Sequence, residues 1–222
     1  MRQWINPVPS MLCSITLKSV WGMRSPGKRS STDVFLNIPY DNDARSESLL
    51  VAYTASLVAM GRKPRLTFEL PDGGTGRRHR IFSLLQSCPV SFHDLSAVGK
   101  PVRFNMPFEL GLACAIREMK GGHQYHVFDA KAHQLEIHLN DLNGIDPKIH
   151  SSTPRGVITS VLDILDKPGG APAALQLMRL HRELMKIVPV LKRKHKKNNL
   201  RGRRIYGELV ALGSKFVLDS KW

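Results

Sequence analysis

Residues Asn105-Met-Pro-Phe-Glu-Leu-Gly-Leu-Ala113 place one carboxylate, Glu109, among apolar neighbours at the start of an expected helix, about 106–119. Asn105 can cap that helix, and Pro107 suits its first turn. Glu109 could then simply complement the positive helix end. The neighbouring residues argue for more. Phe108, Leu110, Leu112, Ala113 and Ala115 are apolar, and Gly111 permits close approach to a sheet. Such a helix is expected to be well covered, and burying an unpaired carboxylate is costly. Glu109 therefore needs a partner or a cavity, where a carboxylate can act on a bound molecule.

The elements that would position it alternate. Asp33–Asn37, Arg65–Leu70, Pro89–His93, Gln124–Phe128 and a short Lys148–His150 read as strands. Between them, 44–60, a segment carrying Ile81, Leu84 and Leu85, the Glu109 helix, 131–142 and 157–165 read as helices. Alternation of this kind predicts βαβ units, a parallel sheet and right-handed crossovers. Sheets of that class bind ligands outside the carboxyl ends of their strands. The residues just after each strand are then the candidates: Asn37 to Asp41, Glu69 to Gly76, Asp94 to Ser96, and Asp129. Glu109 opens onto the same edge.

The 222 residues suffice for one sizeable α/β domain with appendages. The net charge of +15 is unevenly spread. Residues 1–30 carry +5, residues 31–166 carry −1, and residues 167–222 carry +11, from 14 basic and three acidic side chains. The first 31 residues mix Pro, Gly, Ser and Arg without a period and read as a flexible lead-in. Residues 167–172, Lys-Pro-Gly-Gly-Ala-Pro, read as a linker, and 173–188 and 203–218 as helices around a basic run at 192–204. The stripe Ile205, Leu209, Leu212 and Phe216 should pack on the body or on the preceding helix. The basic run is either a solvated face or a site for polyanions.

Cys13, Cys88 and Cys114 form no CxxC pair, which points to a reducing compartment. No apolar run is long enough to span a membrane, and Pro7 and Pro9 interrupt a signal-like start, so a cytoplasmic protein is expected. The histidines show no metal-ligand spacing, and Gly73-Gly74-Thr75-Gly76 alone is a turn, not a phosphate loop. No metal or resident cofactor is expected. Cys114 reads as a small core residue.

Four segments in order carry a resemblance: Asp33-Val-Phe-Leu-Asn-Ile-Pro-Tyr-Asp41, Gly61-Arg-Lys-Pro-Arg65, Arg80-Ile-Phe-Ser-Leu-Leu-Gln-Ser-Cys-Pro-Val-Ser-Phe-His-Asp-Leu-Ser96 and Arg103-Phe-Asn-Met-Pro-Phe-Glu-Leu-Gly-Leu-Ala113. Together they resemble bacterial domains related to Toll/interleukin-receptor (TIR) domains and nucleoside 2-deoxyribosyltransferases. The resemblance covers about residues 31–166 and implies a flavodoxin-like fold. It also implies cleavage of an N-glycosidic bond in NAD or a nucleoside or nucleotide, with NAD as substrate rather than cofactor. Glu109 would attack, or stabilise positive charge on, the ribosyl carbon bearing the base. Asp94 would bind the ribose or position the base. Asn37, Tyr40, Asp41, Ser96 and Asn105 would line the same crevice. Arg77, Arg78, His79 and Arg80 either hold phosphates of the substrate or form a solvated helix start.

Two rivals differ in class. Many relatives serve in stress or anti-phage signalling, so the fold could sense a nucleotide without turning it over. Alternatively, the basic segment could bind nucleic acid, although only Tyr206, Phe216 and Trp222 could stack on bases there. A homo-oligomer is compatible with each reading.

Overall fold

The computed structural model describes residues 32–70, 74, 76–97, 103–139, 142, 144–165 and 172–219. The lead-in, the turn at 71–73 and most of the 167–172 linker lie outside them. Five strands, β1 (Asp33–Asn37), β2 (Lys63–Arg65), β3 (Val90–Asp94), β4 (Gln124–Asp129) and β5 (Lys148–Ile149), form one sheet. All pairings are parallel and the order is β2-β1-β3-β4-β5, the flavodoxin-like order. The order reverses at β1, between β2 and β3.

Side chains on a strand alternate between faces, and that alternation assigns the layers. Val34 and Leu36 join Val90, Phe92 and Phe128 in a core with α1 (Ala44–Ala59) and α5 (Pro154–Leu165). Phe35 turns the other way, onto Ile81, Leu84 and Leu85 of α2 (Arg77–Ser87) and Ala113 and Ile116 of α3 (Asn105–Lys120). The short α4 (Gln134–His138) closes the sheet's other end, where Leu135 packs with Leu95, Met106, Leu110 and Val127.

Several expectations about the elements change, among them the helix expected at 131–142, which shortens to α4. β2 stops at Arg65, because Glu69 curls the chain back into a 3₁₀ turn, Thr67–Glu69. Glu69 accepts from Arg65 Nε at 3.1 Å and from the Leu66 amide at 2.6 Å. The helix expected at 173–188 runs on to His195 as α6 (Ala174–His195), through Pro189. Proline removes one backbone bond there, but Val188 and Leu191 on either side stay buried and keep the chain helical. α3 is covered on one stripe only: Phe108, Gly111 and Ala115 face outward, and a Cβ on Gly111 would meet nothing.

The last two helices, α6 and α7 (Arg203–Asp219), pack on each other and on α1. α1 is thereby enclosed on all sides, and every residue from Leu49 to Val58 is buried. Tyr206 on α7 exchanges a 2.9 Å hydrogen bond with Thr54 of α1 and meets Phe68 edge-on. The stripe Ile205, Leu209, Leu212 and Phe216 packs on this core as expected.

Candidate active site

Where the strand order reverses, the sheet's carboxyl edge opens into a cleft of about 730 Å³. Its walls come from four places. The chain after β1 supplies Asn37 to Tyr40. The turn after β2 supplies Leu66 to Phe68 and Leu70. The starts of α2 and α3 supply Arg77, Arg80, Arg103, Asn105, Met106 and Glu109. The connection between α6 and α7 supplies Arg201.

Glu109 belongs to the buried stripe of α3, with Met106, Leu110, Ala113 and Ile116. The later residues of that stripe press on the sheet. Glu109 lies near its amino end, where the strands have finished, so its side chain meets the cleft rather than hydrocarbon. The residue is 2% exposed. Burial pushes its carboxyl up to about 7, although the Arg77 guanidinium, 3.4 Å away, pulls the other way. The helix begins at Asn105, so Glu109 is past the first turn and the helix-end charge contributes little to it. Asn105 does not cap the helix; its amide approaches the Met106 sulfur at 3.2 Å. The structural reading of Glu109 as a helix-end ornament thus loses its support.

Asn37 faces the same side of the sheet as Phe35, toward α3. Its amide nitrogen donates to the Met106 carbonyl and to His93 Nδ1, both at 3.0 Å. The chain of bonds continues through the sheet. His93 Nε2 is 2.8 Å from Ser91 Oγ, which is 2.9 Å from His123 Nε2, while His123 Nδ1 donates to the Cys88 carbonyl at 3.1 Å. Burial, with the neighbouring His123 and His126, drives His93 down to about 3, so its ring is neutral; its Nδ1 accepts from Asn37 and its Nε2–H donates to Ser91. The chain holds the Asn37 amide in a single orientation. With its N–H groups engaged beneath, Asn37 has its carbonyl oxygen left as the acceptor to offer a ligand.

Tyr40 is buried under Arg201, whose guanidinium stacks on its ring at 4.8 Å and donates to its carbonyl. The Tyr40 hydroxyl accepts from the Leu200 amide at 3.1 Å. Asp41 lies at the rim, paired with Arg103. Arg77 and Arg80 reach the cleft together, because three residues apart they share a helix face. Arg78 and His79 point outward.

Asp94 does not join this group, so the expectation that its carboxyl and that of Glu109 flank one cavity fails. Asn37 pairs in register with His93, one residue earlier. The two-residue strand period therefore turns Asp94 to the opposite face, toward α1 and α5. There it is 1% exposed, accepts from the Tyr53 hydroxyl at 3.0 Å and from the Ser96 amide at 2.9 Å, and lies 3.3 Å from His150 Nε2. Burial alone would raise its carboxyl, but His150 and Ser96 hold it below the usual carboxylate range. Ser96 is thus a partner of Asp94 and not of the cleft. This cluster fastens β3 to α1 and to the chain entering α5. Asp94→Ala is expected to cost on the order of 3 kcal/mol, since the Tyr53 hydroxyl would be stranded in the core. Urea unfolding measures the loss, while ligand binding by the folded fraction should be unchanged.

Arg103 and Arg201 line the cleft without a local sequence signal that marks either as a site residue. Arg103 stands within the quoted motif but has no periodic signal. Arg201 sits in a basic run in which no local pattern distinguishes it from its neighbours. Among the described residues, no group of three or more metal-ligating side chains occurs, and no helix is long and apolar enough to cross a membrane. Comparison with protein-family models, curated proteins and solved structures found no match.

Proposed function

We propose that this cleft binds NAD or a nucleoside or nucleotide and that Glu109 serves cleavage of its N-glycosidic bond, as in the TIR- and deoxyribosyltransferase-related domains the sequence resembles. The observation that carries the reading is one buried carboxylate lining a nucleoside-sized cleft at the switch point of a parallel sheet.

The chemistry follows from the carboxylate. As the bond from the ribosyl carbon to the base breaks, its electron pair leaves with the base and positive charge grows on the sugar. Ionised Glu109 either captures that carbon as an ester or stabilises it until water adds. Water supplies hydroxide to the sugar and the remaining proton to the base or to bulk solvent. Asn37, fixed by His93, can accept from a sugar hydroxyl and orient the ring.

Purified protein incubated with NAD and with deoxynucleosides should release free base, read by chromatography. No release from any of them removes the reading and leaves a ligand sensor. The pH profile is a second check. The reacting form is the carboxylate, and burial sets its ionisation near pH 7. The rate at low substrate should therefore climb about tenfold per pH unit below 7 and level off above it. A rate already flat from pH 5 upward would mean that some other group reacts.

A further inference from the structure

The cleft is strongly electropositive. Arg77, Arg80, Arg103 and Arg201 line it, against the single carboxylate of Glu109. Asp41 touches Arg103 from the rim and Glu109 meets Arg77, while the Arg201 guanidinium faces no carboxylate among the cleft's lining residues. α2 and α3 both begin beside the cleft without a side-chain cap, so their first backbone N–H groups add to the same field. A neutral nucleoside would leave that field unanswered, whereas a phosphate is an anion whose oxygens suit guanidinium donors.

Arg201 is placed for such a contact by the chain around it. Leu200 is fully buried and its amide is held by Tyr40. The Arg201 amide donates to Asn199 Oδ1 at 2.9 Å. The guanidinium lies flat on the Tyr40 ring and donates to one carbonyl, and it has more N–H donors than one carbonyl can take. Arg77 is held only at one edge: its side chain is 62% exposed and meets Glu109 at 3.4 Å.

We infer that the ligand of this cleft bears a phosphate group and that Arg201, brought in by the connection between α6 and α7, holds that phosphate together with Arg103 and Arg77. The basic C-terminal segment is then part of the ligand site, not an appendage to it. The inference rests on the proposed function for the rest of the ligand, the ribose and base, but not for the phosphate contact.

Ribose 5-phosphate and ribose are the probes, because neither has a base to lose and binding is read whether or not the protein is a glycosidase. Calorimetric titration of the full chain should show ribose 5-phosphate binding at least tenfold more tightly than ribose, with the advantage shrinking as salt rises. Arg201→Gln should remove most of that advantage, and Arg103→Gln should do so independently should the first variant fold poorly. Arg193→Gln and Arg204→Gln should leave it intact. Equal affinity for the two sugars, including no binding of either, overturns the inference. So does a loss that Arg193→Gln and Arg204→Gln share equally, which would indicate loose attraction to a charged surface. Tight phosphate-dependent binding without base release from NAD or nucleotides would instead sink the glycosidic reading and leave the phosphate site standing.

Discussion

Glu109→Gln should abolish base release while making the protein harder to unfold above neutral pH. The two effects share one cause. In the unfolded chain the carboxyl titrates near its ordinary value of 4.5, and in the folded protein near 7. Between those values the native state holds a proton that the unfolded state has released. Stability therefore falls as pH rises through this window, and the full cost is present above about pH 7. The gap corresponds to on the order of 3 kcal/mol. Glutamine has the same shape and no charge to desolvate. Wild type and variant should unfold at similar urea concentrations near pH 4, and the variant should need more urea at pH 8. Arg77 is exposed enough that losing its partner changes little. Turnover should drop by roughly three orders of magnitude or more, the scale on which removal of a reacting group is felt. Retained turnover would dismiss Glu109 as the reacting group. Equal stability at pH 8 would mean that water reaches the carboxylate freely.

Removing residues 173–222 should leave no folded protein. α6, α7 and the connection between them contribute Leu177, Leu180, Leu184, Val188, Leu191, Leu200, Ile205, Tyr206 and Leu209 to the core around α1, each at most 2% exposed. Without them the outer side of α1 becomes a wide apolar surface in water. Truncating one such side chain costs about 2–5 kcal/mol, and a domain has only about 5–15 kcal/mol in total. Circular dichroism and size-exclusion chromatography of the truncated chain should show an unfolded or aggregated species. A cooperative thermal transition would contradict the packing described here. Loss of nucleic-acid binding on deleting the tail would therefore report a collapsed body. Charge-neutralising changes at exposed positions such as Arg193 and Arg204 test that rival reading without disturbing the core.

Much of the architecture was legible in the chain because hydrophobic patterning and turn residues are local signals. Alternating apolar runs and amphipathic stretches predicted the parallel α/β sheet, and the short runs marked by Asp33–Asn37 and Gln124–Phe128 became strands within a residue of expectation. Glu109 was legible for a related reason: a carboxylate on an apolar helix stripe is a local contradiction, and contradictions of that kind need a cavity. Other features left no mark in the apolar pattern. The curl after Arg65 follows from an ion pair to Glu69, and the continuation of α6 past Pro189 follows from burial on both sides.

The sequence by itself determined the parallel α/β class, the edge of the sheet that carries the candidate residues, and the carboxylate that stands out among them. Only the tertiary structure decided which of those residues meet. β3 is buried on both faces, so its composition carries no in–out alternation, and nothing local revealed that Asp94 points away from Asn37 and Glu109. Arg201 reaches the cleft from 161 residues beyond Tyr40 because buried Leu200 pins its chain there. Strand register and long-range packing are set by the whole core, and no stretch of chain encodes them alone.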